Sequence, residues 1–289
     1  MIKGWVIYSR DTLSSKFGDN AFDWMVDAAA KYDLDVQILF EEDFDLMTTA
    51  DEHLFFCNGE AIEKPDFTLM RSYGLDLAMH LEQAKVPVFN NPRSMEQSQD
   101  KWKTHQILSG YKLPSPESFV SKRQLCYDEL RDLLGPYFVM KGLLGSKGED
   151  VYLVRDEKTL KSAETSLSGQ KVMYQKFVAE SSGTDIRVHV IGGEVVAAVR
   201  RRSEGDFKSN FHQGGSAETV ELTKAMRSLS LQAAKALNLD FAGIDLLEGG
   251  NGPTICEVNA IPGFRTICLT SDADIPSLIF KHIRACLDA

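Results

Sequence analysis

Five cysteines in 289 residues, Cys57, Cys126, Cys256, Cys268 and Cys286, are too few and too scattered for a disulfide framework, and no C-x-x-C pair is present to seed a zinc site. A reducing compartment, the cytoplasm, is therefore expected. No apolar run approaches the ~20 residues needed to cross a bilayer, and no basic amphipathic block suggests attachment to one, so no membrane is expected as a partner. The short run Gly4-Trp5-Val6-Ile7-Tyr8 is broken at once by Arg10 and Asp11 and reads as a first strand rather than a signal-peptide core. Basic residues are outnumbered, 32 against 42 acidic, for a net charge of -10. A surface built mainly to neutralise phosphate backbones is excluded, and nucleic acid is not expected as a partner. Internal repeats and low-complexity tracts are absent, as is any cysteine-histidine or serine-histidine signature of a covalent nucleophile.

What is present is a globular composition, 43% hydrophobic, in a chain long enough for two or three small domains around a cleft. Residues 1–92 alternate strand-like and helical patterns, with strands at 5–8, 36–40, 66–71 and 86–90 and a helix at 20–31, which predicts an α/β unit. Asn90-Asn91-Pro92 is a turn-like junction, followed by a helix over 98–110 with Asp100-Lys101 in its first turn and Gly110 closing it. Residues 93–174 read as a small α+β domain, with strands at 118–121, 138–141 and 151–154 and helices at 127–134 and 157–166. Residues 175–289 form a second α+β lobe: a strand at 171–177 leads in, strands 185–191 and 194–201 flank a Gly192-Gly193 turn, and helices follow at 224–237 and 275–287.

The most informative segment is a hairpin. Phe241 to Leu247 and Thr254 to Asn259 are both strand-like, and a glycine-rich turn lies between them. A three-residue loop centred on Asn251 sets Asp245 opposite Glu257, with Cβ atoms ~5 Å apart. Alternation then puts Asn259 on the face of Glu257, with Cys256 and Val258 on the other. Facing carboxylates repel unless something positive intervenes, and such hard oxygen donors suit Mg²⁺, with Mn²⁺ as a substitute. An acidic solvent-exposed hairpin face is the alternative.

A lysine at the end of an apolar strand, Lys141, precedes Gly142-Leu143-Leu144-Gly145-Ser146-Lys147-Gly148. This is the composition of a flap whose backbone N–H groups and lysine could hold a polyphosphate, although it does not match G-x-x-x-x-G-K-[ST]. Lys101 could add a second charge or be a solvated helical lysine.

These stretches, in order, resemble the ATP-grasp superfamily and within it the RimK-like ligases. The resemblance is carried by Asn90-Asn91 through Asp100-Lys101, Phe138-Val139-Met140-Lys141, Gln175-Lys176-Phe177-Val178 and Asp185-Ile186-Arg187. The segment from Asp206 through Lys208-Ser209-Asn210 to Ser216, then Ala242-Gly243-Ile244-Asp245 and Glu257-Val258-Asn259-Ala260-Ile261-Pro262-Gly263, complete it. It runs from about residue 87 to 276 and is weak before that. It departs from the family's pattern at Lys176, where an acidic residue is common, and at Gly263-Phe264-Arg265-Thr266, which leaves the acceptor open.

The resemblance implies an ATP-grasp fold, α/β and α+β, with a Rossmann-like pre-ATP-grasp domain at the N-terminus. It implies ATP between two lobes, with Lys101, Lys141, Gly145 and Ser146 at the phosphates and the backbone of Lys176, Phe177 and Val178 at adenine. Asp185 would bond the ribose, while Arg201, Lys208, Ser209 and Asn210 sit near the γ-phosphate. Asp245, Glu257 and Asn259 would hold the metal. Arg71 and Arg265 are candidates for gripping a substrate carboxylate through bidentate bonds. The activity implied is ligation of a small-molecule, peptide or carrier-protein carboxylate to an amine such as an amino acid, through an acylphosphate, in a homo-oligomer. A catalytically silent ATP-binding regulator or scaffold of the same fold is the alternative.

Overall fold

The computed structural model describes residues 1–13, 19–145, 150–203, 205–208 and 215–289. The N-terminal unit is built on β1 (Ile2–Tyr8), α1 (Asp19–Ala30) and β2 (Leu34–Phe40), a right-sized crossover for a parallel pair. The end of β1, Gly4 to Tyr8, is buried throughout, as a parallel strand covered on both faces should be. Next come β3 (Phe44–Thr48), β4 (His53–Cys57) and β5 (Glu60–Ile62), a small antiparallel sheet that the sequence did not announce. Its reason is visible in β3: Asp45, Leu46, Met47 and Thr48 are all exposed, so no period-two burial marks the strand. Then β6 (Phe67–Met70), α2 (Leu75–Gln83) and β7 (Val88–Phe89) complete a parallel sheet of order β2-β1-β6-β7.

The expected helix over 98–110 is two helices. α3 (Pro92–Gln99) starts after Asn91, whose side chain accepts from the Ser94 amide, with proline in its first turn. α4 (Lys101–Gly110) starts at Asp100, which is extended and accepts from the Trp102 and Lys103 amides. Asp100 is therefore a cap between helices and not a first-turn residue.

The small lobe comprises β8 (Ser118–Phe119), α5 (Tyr127–Leu134), β9 (Phe138–Gly142), β10 (Val151–Val154), α6 (Glu157–Ser166) and β11 (Val172–Lys176). Its antiparallel sheet has the order β10-β9-β11-β8. The two helices cover one face and share a separate core of Leu130, Phe138, Met140, Val154, Leu160 and Tyr174.

The large lobe carries β12 (Thr184–Ile191), β13 (Glu194–Arg202), β14 (Ser216–Thr219), α7 (Lys224–Ala236), β15 (Phe241–Gly249), β16 (Gly252–Asn259), α8 (Arg265–Thr270) and α9 (Ile275–Leu287). Its sheet runs β14-β13-β12-β15-β16, all antiparallel. The turn from β12 to β13 has φ of +57° at Gly192 and +79° at Gly193, the left-handed pair that a two-residue hairpin demands.

The N-terminal unit is fused to this lobe. One core joins Trp5, Ile7, Met70 and Leu81 to Ile186, Val188, Ile244 and Val258, and another joins Met25, Phe67 and Phe89 to Phe241, Phe280 and Ile283. Asn90 locks the seam. Its Nδ2 donates to the carbonyls of Phe241 (2.8 Å) and Ala260 (2.7 Å), and its Oδ1 accepts from the amides of Asp240 (2.6 Å) and Phe241 (3.0 Å). All four hydrogen-bonding valences of the amide are filled. The division expected at residue 92 is thus a change of sheet without a change of core, and that expected at 174 falls inside β11.

Candidate functional site

A cleft of about 510 Å³ opens between the small-lobe sheet and the large sheet, with Tyr8, Arg71 and Tyr73 of the N-terminal unit at one end. Its floor is written by alternation on β12. Ile186, Val188 and Val190 face the core, so Asp185, Arg187 and His189 share the cleft face. Arg201 of β13, Asp245 of β15 and Glu257 and Asn259 of β16 extend the same surface.

Asp245 does pair with Glu257, but the hairpin reaches that register differently from the expectation. The loop has two residues, Gly250 and Asn251, since Gly249 pairs with Gly252. From there Leu246 pairs with Ile255, and a bulge before Asp245 leaves Cys256 as the extra residue. A bulge bends a strand and re-aims side chains. Ile255 and Val258 are buried in the core, while Cys256 lines the cleft beside Glu257, contrary to the strict alternation expected of it. At Gly243, on the adjoining strand, a Cβ would come 2.7 Å from Cβ of Pro262, so glycine is what lets the Pro262-Gly263 turn close over the sheet.

The repulsion between the facing carboxylates is relieved within the protein. Arg187 binds Asp245 bidentately, Nε to Oδ1 at 2.7 Å and an NH2 donor to Oδ2 at 2.6 Å. Arg201 donates to Asp245 Oδ2 at 3.0 Å and grips Asp185 through both nitrogens, Nε to Oδ1 at 2.7 Å. The result is an alternating ladder Arg187, Asp245, Arg201, Asp185 across three strands. Burial alone would raise the Asp245 pKa, but the charges of Arg187 and then Arg201 override it and hold it down at about 2. Burial likewise opposes the charge on Arg201, and Asp245 and Asp185 more than restore it, raising its pKa above the usual arginine value. His189, on the same floor, is pushed down to about 3, chiefly by burial and then by Arg187.

Arg187 was within a quoted motif yet had no role assigned; the signal was its i+2 spacing from Asp185 on a strand. The ladder also bears on metal binding. Oδ2 of Asp245 accepts two hydrogen bonds and Oδ1 one, leaving one lone pair on that carboxylate. Among the described residues no hydrogen bond engages the Glu257 carboxylate, and Asn259 uses only its Nδ2, toward the Gly243 carbonyl at 3.4 Å. The set of Glu257, Asn259 Oδ1 and one Asp245 oxygen fits a hard divalent cation that keeps part of its water.

Among the described residues, the opposite wall turns one ammonium group toward the cleft. Lys141, at the end of β9 and only 7% exposed, donates to Gln175 Oε1 at 2.7 Å and lies 3.6 Å from Cys256 Sγ. Gln175 is itself held, its Nε2 donating to Ser118 Oγ and His105 Nε2, each at 3.0 Å. His105 is pushed down to about 4, by burial first and then by Lys141, so it is neutral and can accept that bond.

Lys176, Phe177 and Val178 line the cleft where β11 leaves the small lobe. The Lys176 ammonium turns outward to Glu117 at 3.1 Å, leaving its backbone to the cleft. The Phe177 ring meets Phe207 edge to face at 6.2 Å, and Phe207, which the sequence did not single out, lines the cleft with Lys208. Arg71 and Arg265 both reach the far end. Arg71 donates to the Pro262 carbonyl at 2.8 Å and stacks on Phe264 at 5.2 Å, and burial lowers its pKa.

Two residues expected at the phosphates, Lys101 and Gly145, meet each other at the edge of the small lobe. Lys101 and Gly145 are not among the lining residues; Lys101 Nζ donates to the Gly145 carbonyl at 3.0 Å, and its amide donates to Leu143 at 3.1 Å, tying the root of the flap to α4. Ser146, Ser209 and Asn210, with Gly148 and Gly214, lie outside the described residues.

A cleft between two α+β lobes, with an N-terminal parallel-sheet unit at its end, defines the ATP-grasp fold. It superposes on PsnB, an ATP-grasp ligase complexed with minimal precursor, with a TM-score of 0.74 at 18% identity over 98% of both chains. It superposes on the D-alanine--D-alanine ligase of Bacillus anthracis complexed with ATP with 0.73 at 21% identity, covering 99% of this chain and 97% of that one. A RimK-like ATP-grasp domain model matches residues 98–283, and the chain belongs to that family. Similar chains include probable alpha-L-glutamate ligases. That of Methanococcoides burtonii is 32% identical over 269 residues, 90% of this chain and 89% of the relative. That of Thioalkalivibrio sulfidiphilus is 38% identical over 216 residues, 73% and 71% respectively.

Proposed function

We propose that this protein is an ATP-dependent carboxylate-amine ligase that activates a carboxylate as an acylphosphate and joins it to an amine such as an amino acid. The observation that carries the reading is the cleft wall on which the Glu257 carboxylate and Asn259 Oδ1, unengaged among the described residues, stand beside an Asp245 that keeps one lone pair, facing buried Lys141. Lys141 supplies a fixed positive charge for polyphosphate. The Lys176 to Val178 backbone, beside the Phe177 and Phe207 rings, offers an apolar slot with peptide donors and acceptors for a purine. Glu257, Asn259 and Asp245 would hold Mg²⁺, which neutralises phosphate oxygens when bound. PsnB has been solved with Mg and ADP, which supports that choice.

The carboxylate oxygen attacks the γ-phosphorus of ATP and ADP departs; the amine then attacks the acyl carbon and phosphate leaves with the carboxylate oxygen. Arg201 is held rigidly by Asp185 and Asp245, with its charge secured, and is placed to stabilise the anionic charge that develops. Arg71 and Arg265 lie at the end away from Lys176 and are suited to a substrate carboxylate. Exclusion of water protects the acylphosphate, and the chain needs no nucleophile of its own.

The names of the relatives make L-glutamate the first amine to supply. The protein is incubated with Mg-ATP, glutamate or other amino acids, and a panel of small-molecule, peptide and carrier-linked carboxylates, with released phosphate and product mass recorded. Phosphate release that depends on both substrates is expected. Tight nucleotide binding with no substrate-dependent phosphate across the panel would leave the silent scaffold as the better description.

A further inference from the structure

Outside the cleft, three side chains of different chemistry meet at the seam between the N-terminal unit, the large sheet and α9. Asp240 precedes β15, and His282 and Cys286 stand four residues apart on α9, so they share a helix face. One ligand atom from each falls within a sphere of mutual separations no larger than 4.8 Å. His282 Nε2 is 2.8 Å from Asp240 Oδ1 and 3.5 Å from Cys286 Sγ. None of the three lines the cleft.

A proton relay would place the carboxylate on one ring nitrogen and the thiol on the other. Here the same nitrogen faces the carboxylate and is the nearer one to the sulfur, which is 4.0 Å from Nδ1. One imidazole nitrogen cannot serve both as hydrogen-bond partners in a relay, but one ion can bridge them. Bond lengths of about 2.0 Å to nitrogen and oxygen and 2.3 Å to sulfur at a tetrahedral angle imply an N···S separation of about 3.5 Å, as found, and an N···O separation of about 3.3 Å, so an ion would open the 2.8 Å contact between His282 and Asp240 by about half an ångström. The imidazole is also held in place: Phe241 and Phe89 meet it edge on at 5.6 and 6.4 Å, and the Gly192 backbone packs so closely that a Cβ there would lie 2.6 Å from Nδ1. Asp240 is pinned through its backbone, its amide bonded to Asn90 and its carbonyl to Gly192. Cys286 alone is exposed, with a single side-chain torsion to turn the sulfur onto an ion.

The geometry points to a second metal site, Asp240-His282-Cys286, that takes a borderline-soft divalent transition metal such as Zn²⁺ and clamps α9 to the sheet. Its mixed N, S and O donors suit zinc and not magnesium, unlike the all-oxygen set in the cleft. Water completes the coordination, and binding stabilises the fold because the three ligands converge only in the folded chain.

The test is a titration of the reduced full-length protein with Co²⁺ in excess Mg²⁺, reading thiolate-to-cobalt charge-transfer absorption, alongside a melting curve with Zn²⁺. One equivalent should give the band, and Zn²⁺ at a hundredfold excess over its Kd should raise Tm by about 5 °C. Cys286→Ser, at an exposed position, should abolish both responses with the unliganded Tm unchanged, and His282→Gln should abolish the band. Cys256→Ser, which changes the thiol in the cleft, should leave them intact. No band in the wild type, a band that survives Cys286→Ser, or one lost in Cys256→Ser would overturn the site.

Discussion

The two walls of the cleft hold their charges by opposite means. On the large sheet, Arg187 and Arg201 are compensated by Asp245 and Asp185 in a ladder of paired ions. On the small lobe, Lys141 has no carboxylate partner among the described residues and is held by neutral dipoles, the Gln175 amide braced by Ser118 and His105. A charge balanced by an opposite charge is fixed in position but partly cancelled as a field. A charge held by dipoles keeps its full field for an incoming anion. The ladder is thus suited to fixing Asp245 and Arg201 in place, while the lysine is suited to attracting polyphosphate.

The sharpest break in this comparison removes the one carboxylate that the ladder leaves uncommitted. Glu257→Gln should lower turnover by on the order of 10³ or more with Tm unchanged, because the residue serves a cation and no core contact. Steady-state phosphate release with a melting curve measures both, and near-normal turnover would remove Glu257 from the site. Within the ladder, Arg187→Met should destabilise the fold by about 3 kcal/mol, since Asp245 is left buried with half its compensation. Adding Asp245→Leu should recover much of that loss while leaving the enzyme inactive, a coupling read by denaturant unfolding of the single and double variants. If the double variant is as unstable as the sum of the singles, the ladder is not a coupled unit.

Much of this was legible in the sequence where a feature is local. The helices Tyr127–Leu134, Glu157–Ser166 and Ile275–Leu287 and the strand Val151–Val154 stand at the expected bounds, because apolar periodicity and caps specify them. The pairing of Asp245 with Glu257 was reached with an incorrect loop, offset by a bulge that the sequence does not mark. Partners far apart in the chain were not legible. Asn90 reads as a turn residue but bonds to residues 150 to 170 positions away. Lys101 reads as a phosphate ligand, and its bond to the Gly145 carbonyl 44 positions away depends on how α4 meets the small lobe. The arginines that compensate Asp245 were not legible either, because they depend on which strand lies beside β15.

The dipole-held wall is tested more gently. Gln175→Leu removes the oxygen that receives Lys141 Nζ and should raise the KM for ATP about tenfold with kcat little changed, the loss of one charge-assisted bond. An equal fall in kcat would mean that Lys141 acts mainly in the transition state.

A last test concerns two histidines that must stay neutral, His105 behind the lysine wall and His189 on the floor of the large sheet. His105 at about 4 and His189 at about 3 both lie below the unfolded value of about 6.5. Between these limits the unfolded chain binds protons that the folded chain does not. Their contribution is therefore fully present above pH 6.5 and is lost as pH falls toward 4 for His105 and 3 for His189. Near pH 5 the pair should make stability fall by about 2.5 kcal/mol per pH unit, on top of any carboxylate background. His105→Leu should reduce the slope there by about 1.2 kcal/mol per pH unit, read from urea unfolding across pH 4.5 to 7. An unchanged slope would show that His105 is already protonated beside Gln175, and the lysine wall would then carry two charges.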